Sequence, residues 1–123
     1  ARAAHLAAEC ADEQTKFWKF HDLLFKRQVQ WADLSAADAN DEFKQFASEE
    51  ILDLNAFDSC LESASFADEV NEDYLDGVGY GITGTPTFFI GNDKIGYVEV
   101  GGAQPFAVFK QSIEQQLENN EKD

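Results

Sequence analysis

The sequence predicts an α+β chain, close to the α/β class: five helices over residues 1–76, then a ββα unit over residues 77–123 whose sheet is incomplete. Three observations lead there. Apolar residues recur at helical spacing through the first three-fifths of the chain. Gly77, Gly79, Gly81 and Gly84 then punctuate a loop, and Thr87-Phe88-Phe89-Ile90 follows as a compact strand signal. That strand is apolar on both faces, as inner strands flanked by helices are, yet only one partner strand follows it.

Ala1 to Ala11 is alanine-rich and free of Gly and Pro, so it is expected to be helical, with a break at Asp12 to Gln14. A second helix is expected from about Lys16 to Gln28. Phe17, His21, Leu24 and Gln28 would share its inner face, with Trp18 and Phe25 beside them. Trp31, Leu34 and the stretch Ser35 to Asn40 read as a loop. Asn40 would cap a third helix from Asp41 to about Glu50, burying Phe43, Phe46 and Ala47. Asp53 would cap a fourth, carrying Phe57, Cys60 and Leu61. Ser65 would cap a fifth, with Phe66, Val70 and Tyr74 on one face. Beyond the glycine loop, Gly91-Asn92-Asp93 reads as the turn of a hairpin whose return strand is Lys94 to Val100. Pro105 fits the first turn of a last helix, where its missing N–H costs nothing. Phe106, Phe109, Ile113 and Leu117 give that helix its apolar face, and Glu118 to Asp123 forms a polar tail.

Composition narrows the function. The 123 residues hold 24 Asp and Glu against nine Lys and Arg, a formal net charge of −15. Such a surface repels phosphates, which excludes nucleic acid and disfavours an acidic membrane surface as partners. Eleven Phe and 44% hydrophobic residues are too many for a disordered chain. No apolar run approaches the ~20 residues a membrane span needs. The chain opens Ala1-Arg2-Ala3-Ala4 with neither an initiator Met nor a signal peptide, so a mature product or a fragment is expected.

The two cysteines, Cys10 and Cys60, stand fifty positions apart. This is neither a zinc spacing nor a redox Cys-x-x-Cys, so no metal or cofactor is expected. Two buried thiols or one long-range disulfide both fit the sequence. Neither cysteine suits a nucleophile. Glu9, Asp12 and Glu13 surround the first, Asp58 and Glu62 the second, and carboxylates raise a thiol pKa. His5 reads as a surface residue, His21 as a packed core histidine, and Trp18 and Trp31 as core.

The most specific stretch is Gly81-Ile82-Thr83-Gly84-Thr85-Pro86-Thr87-Phe88-Phe89-Ile90. It is similar to the cis-proline segment of DsbA-like proteins in the thioredoxin superfamily. Ala7-Ala8-Glu9-Cys10-Ala11 and Phe17-Trp18-Lys19-Phe20-His21-Asp22-Leu23-Leu24-Phe25 resemble the start of that family's helical insertion. Phe57-Asp58-Ser59-Cys60-Leu61-Glu62-Ser63 and Ala67-Asp68-Glu69-Val70 resemble its later helices, and Gly101-Gly102-Ala103-Gln104-Pro105-Phe106 its C-terminal end. The resemblance covers nearly the whole chain. It implies a helical insertion followed by the ββα end of a thioredoxin-like fold.

The family places a strand, the Cys-x-x-Cys at a helix N-terminus and a second strand before the helical insertion. This chain holds none of them, so the resemblance implies a fragment that carries no catalytic residue and is inactive alone. Thr85 and Pro86 would lie across from the reactive cysteine. A cis bond at Pro86 would turn the Thr85 backbone outward to pair with an extended protein or peptide substrate. The family's extracytoplasmic setting would permit a structural Cys10–Cys60 disulfide. It also implies a redox partner protein, while the unpaired hairpin edge offers a place for a homodimer. Two other readings compete: a non-catalytic peptide-binding or assembly module, and an unrelated helical domain with a chance hairpin.

Overall fold

The computed structural model describes residues 1–122 and divides into two compact units, Ala1–Leu75 and the part from Asp76 onward. The first unit is helical. It contains α1 (Arg2–Asp12), α2 (Phe17–Lys26), α3 (Gln28–Trp31), α4 (Ala36–Glu49), α5 (Leu54–Ser63) and most of α6 (Ala67–Gly79). The second holds strands β1 (Thr87–Asn92) and β2 (Gly96–Gly101), then α7 (Phe106–Glu121).

Alanine makes α1 a smooth platform. Ala4, Ala7, Ala8 and Ala11 are buried, and such small side chains let neighbouring helices approach closely. Four phenylalanines fill the space beside it: Phe20, Phe43, Phe46 and Phe57 have no exposed surface. Their rings meet at tilted or edge-on angles, with Phe20 5.5 Å from Phe57 and 6.2 Å from Phe46. Each such burial stabilises by about 2 kcal/mol, with a further increment for aromatic edge contacts.

Helix α2 keeps Leu24 buried and Phe17 against the core, as its periodicity suggested, but its inner face is turned toward Phe20 and away from His21 and Gln28. Phe20 and Leu24 are its buried residues. His21 is a partly exposed residue, its side chain 38% accessible, while Trp18 and Phe25 are 71% and 67% exposed. The helix is apolar on several sides, so spacing alone could not choose the inner stripe; the Phe43–Phe46–Phe57 surface accepts Phe20. Trp31 is not in a loop but closes the single turn of α3. Its indole N–H donates to the Leu24 carbonyl at 2.9 Å, and its ring meets Phe43 edge-on.

Helix α4 begins five residues before the expected start. Ser35, not Asn40, is its cap: the hydroxyl accepts from the Asp38 N–H at 3.1 Å. Ala36 and Ala37 favour helix, and Asp38 complements the helix dipole. Asp53 caps α5 by accepting from the Ala56 N–H. Ser65 instead pairs its hydroxyl with Ser63, and α6 begins at Ala67. Val70 is buried on α6, but Tyr74 is 63% exposed. Gly77 and Gly79 lie within its last turns, not in a loop.

The second unit is an antiparallel hairpin backed by one helix. Thr87 pairs with Gly101, Phe89 with Glu99 and Ile90 with Val98. The strand runs on through Asn92, so the turn falls two residues later than expected, at Asp93–Ile95. Asn92 sets it: its side-chain oxygen accepts from the N–H groups of Lys94 and Ile95. Phe88, Ile90, Val98 and Val100 share the face toward α7, where Phe88 meets Phe109 edge-on at 4.9 Å. Gln116 is buried there, and its amide donates to the Ile90 and Gly96 carbonyls at 3.0 and 3.3 Å. Gly91 has φ +150°, and a Cβ would meet the Gly96 carbonyl at 2.0 Å. Mixed helices with a small two-stranded sheet match the fold class read from the sequence.

Candidate substrate-docking site

The site begins where α6 ends. Gly81, at φ +77°, reverses the chain: its N–H donates to the Val78 carbonyl, and the Ile82 N–H to Gly77 at 3.0 Å. This paired closure of a helix end requires a left-handed residue, which only glycine adopts without strain. The chain then reaches Thr85 and Pro86, both exposed, and enters β1 at Thr87. The Thr85–Pro86 peptide bond is cis.

Two hydrogen bonds fix this loop. The Thr87 hydroxyl donates to the Gly84 carbonyl at 2.6 Å, and the Gly102 N–H donates to the Pro86 carbonyl at 2.7 Å. The Pro86 carbonyl is therefore occupied. Among the described residues, neither the Thr85 N–H nor its C=O has a backbone partner. Among the described residues β1 pairs only with β2, so its other edge carries no strand.

One side of the hairpin is covered by α7, and the other is turned away from it. Phe89 and its cross-strand partner Glu99 lie there, with Tyr97 further along β2. Tyr80 covers part of Phe89, their ring centres 6.2 Å apart. The Tyr97 hydroxyl donates to Asp93 at 3.0 Å. That bond, with some burial and the nearby Asp93 and Tyr80 charges, raises the Tyr97 phenol above its ordinary value.

Cys10 and Cys60 lie in the helical unit. They form a disulfide between α1 and α5 with Cα atoms 5.8 Å apart, and only 1% and 5% of their surface is exposed. The carboxylates around α1 act together on Glu9, which is raised by burial first and then by Glu69, Asp12 and Asp73. Sequence reasoning missed the exposed aromatic face of α2, where the His21 ring lies 5.2 Å from Trp18 and 5.0 Å from Phe25. The signal was the excess of apolar residues around α2, more than one buried stripe can use.

The DSBA-like thioredoxin domain model matches residues 1–114. Part of the Na(+)/H(+) antiporter NhaA 1 of Salinispora arenicola is 37% identical over 91 residues, covering 73% of this chain and 13% of the antiporter. Part of the antiporter NhaA 3 of Salinispora tropica is 36% identical over 90 residues, again 73% and 13%. The chain thus spans a small part of the length of these curated relatives. No solved structure matches it.

Proposed function

The chain belongs to the DSBA-like thioredoxin domain family, and from that premise we propose that it is the substrate-docking part of a protein thiol–disulfide oxidoreductase. The observation that carries the reading is the loop itself. Thr85 and Pro86 are exposed, Thr85 keeps both backbone groups open, and the loop feeds a strand with a free edge.

In this reading the redox Cys-x-x-Cys comes from a segment outside the sequence given. A substrate thiolate attacks one sulfur of its oxidised form, the S–S bond breaks, and a mixed disulfide forms. A second substrate thiolate then attacks the mixed disulfide and displaces the enzyme's cysteine. The substrate leaves oxidised, and two electrons stay on the Cys-x-x-Cys. Extended protein or peptide chains are the substrates, held beside Thr85 and Pro86. A redox partner protein resets the pair.

Cys10–Cys60 is assigned a structural role, because both cysteines are buried. A disulfide of this kind suits an extracytoplasmic compartment. Among the described residues, no helix is long and apolar enough to cross a membrane. Where no segment from outside the sequence given covers the free β1 edge, a second copy of the chain would pair there instead, which sedimentation at rising concentration would read.

The two antiporters favour a second reading. In them, a segment similar to this chain is 13% of a transporter's length, as an accessory module would be. A non-catalytic peptide-binding or assembly module fits that setting. Insulin reduction by the protein expressed with whatever coding sequence precedes Ala1 separates the two. Exchange that needs an upstream Cys-x-x-Cys and is slowed by Thr85→Ala, with folding intact, supports the oxidoreductase. A protein with no exchange and no further cysteines is the binding module.

A further inference from the structure

We infer that the Cys10–Cys60 bond is a redox latch on α1: reduction releases that helix and opens the helical unit, while packing keeps reductants out until the unit opens by itself. The inference concerns the helical unit alone and stands whether or not the hairpin loop docks substrates.

The latch follows from what α1 buries. Its buried residues are four alanines and Cys10. Apolar anchorage grows with the area removed from water, and each alanine brings one methyl group. Residue for residue, α1 therefore holds to the core more weakly than the helices that carry Phe20, Phe43, Phe46 and Phe57. Yet α2, α4 and α5 all pack on it. Cys10 is the largest side chain that α1 buries fully, and it is crosslinked to Cys60 on α5. The polar ties are exposed. Gln14, just beyond α1, shares two hydrogen bonds with the Asp53 backbone at 2.7 and 3.1 Å, and Arg2 donates to Asn71 at 3.3 Å. In water such bonds add little. The crosslink spans 50 residues within the unit Ala1–Leu75, so breaking it returns much of the open chain's freedom.

Burial guards the latch. A thiolate must reach one sulfur in line with the S–S bond, and the two cysteines are almost wholly covered. Phe57, with no exposed surface, lies one helical turn before Cys60 on α5. Charge opposes the attack as well, because the displaced sulfur would become negative next to Glu9 in the chain, or between Asp58 and Glu62. Once the unit opens, a dithiol supplies the two electrons. One of its thiolates breaks the S–S bond and forms a mixed disulfide. Its second thiolate displaces the cysteine, the reagent leaves as a disulfide, and both cysteines take up protons.

The test uses the protein expressed with whatever coding sequence precedes Ala1, and dithiothreitol as the reductant. Mass spectrometry of alkylated peptides follows Cys10 and Cys60. Their release is expected to be roughly a hundredfold slower in native buffer than in urea at the same reductant concentration. Phe57→Leu should speed native release about tenfold. Phe109→Leu, on α7, should leave it unchanged. Hydrogen exchange of the reduced, unalkylated protein should then find α1 to α5 unprotected and β1 to α7 still protected. Equal release in native buffer and in urea overturns the proposal, and so does a reduced helical unit that keeps its protection. Protection lost over the whole chain, or equal acceleration by both variants, overturns it too, since no separate unit would then open. If Phe57→Leu folds poorly, the parent's release and exchange decide. Exchange at any Cys-x-x-Cys before Ala1 is read on other peptides, so failure here leaves the oxidoreductase reading standing.

Discussion

Gly102 donates its backbone N–H to the Pro86 carbonyl at 2.7 Å and so holds the docking loop against the end of β2. Gly102 does this at φ +82°, a left-handed conformation. Gly102→Ala is therefore expected to destabilise by about 1 kcal/mol, although its Cβ would meet nothing closer than 3.6 Å. Gly79→Ala is the counterpart. It lies on α6 with open space around its Cβ, so a gain of up to about 0.5 kcal/mol is expected. Urea denaturation of both variants reads the difference in sign. Equal effects would mean that backbone conformation does not govern either position.

The Cys10–Cys60 bridge closes a loop across a separation of 50 residues. On the chain-entropy estimate this stabilises by about 4 kcal/mol. Replacing both cysteines by serine should lower the urea midpoint accordingly, with further loss from two polar groups in the core. Thiol counting in denaturant without reductant should find no free thiol. Two reactive thiols would remove the bridge from the account.

The rotation of α2 is open to a direct comparison. Phe20→Ala should cost about 3–5 kcal/mol, because Phe20 has no exposed surface and touches three other rings. Trp18→Ala, at a position 71% exposed, should cost under about 1 kcal/mol. If the tryptophan variant is the less stable of the two, the inward face of the helix is wrongly assigned.

Glu9 gives a pH dependence with a defined sign. Its folded carboxyl titrates above the ordinary 4.5, through burial and the charges of Glu69, Asp12 and Asp73. The folded state thus binds this proton more readily than the unfolded chain. The resulting penalty is full above the raised pKa and disappears as the pH falls below 4.5. Glu9→Gln should stabilise the protein at pH 7 and lose its advantage in acid. Salt should shrink the part that comes from neighbouring charges. A variant as stable as the parent at pH 7 and more stable at pH 3 would contradict this.

The sequence carried the parts of the fold that rest on local chemistry. Asp53 announced its helix because a carboxylate can satisfy an orphan N–H, and the apolar run from Thr87 could only be a strand. The loop before β1 was legible for the same reason, through its glycines and proline, while the cis bond at Pro86 and the role of Thr85 came only from the family resemblance. What escaped was set by packing between elements. His21 and Phe20 are adjacent on an aromatic helix, and only the phenylalanine surface opposite chooses between them. Ser35 and Asn40 are both good caps, and two alanines after Ser35 decided for the earlier start. The hairpin turn moved because Asn92 can close it through its own side chain, which the glycine at 91 concealed. The pairing of Phe89 with Glu99 was invisible until the register set those two residues opposite each other.

The bridge between α1 and α5 also changes what happens when the chain is cut. Ala32, Asp33 and Leu34 are exposed between α3 and α4, inside the loop that the disulfide closes. A protease that nicks the chain there severs the backbone but not the molecule, since the two fragments stay covalently joined. The nicked protein should migrate as one band without reductant and as two with it. Its fragments should also remain in register for refolding, because a tether between helices survives where the continuous chain does not.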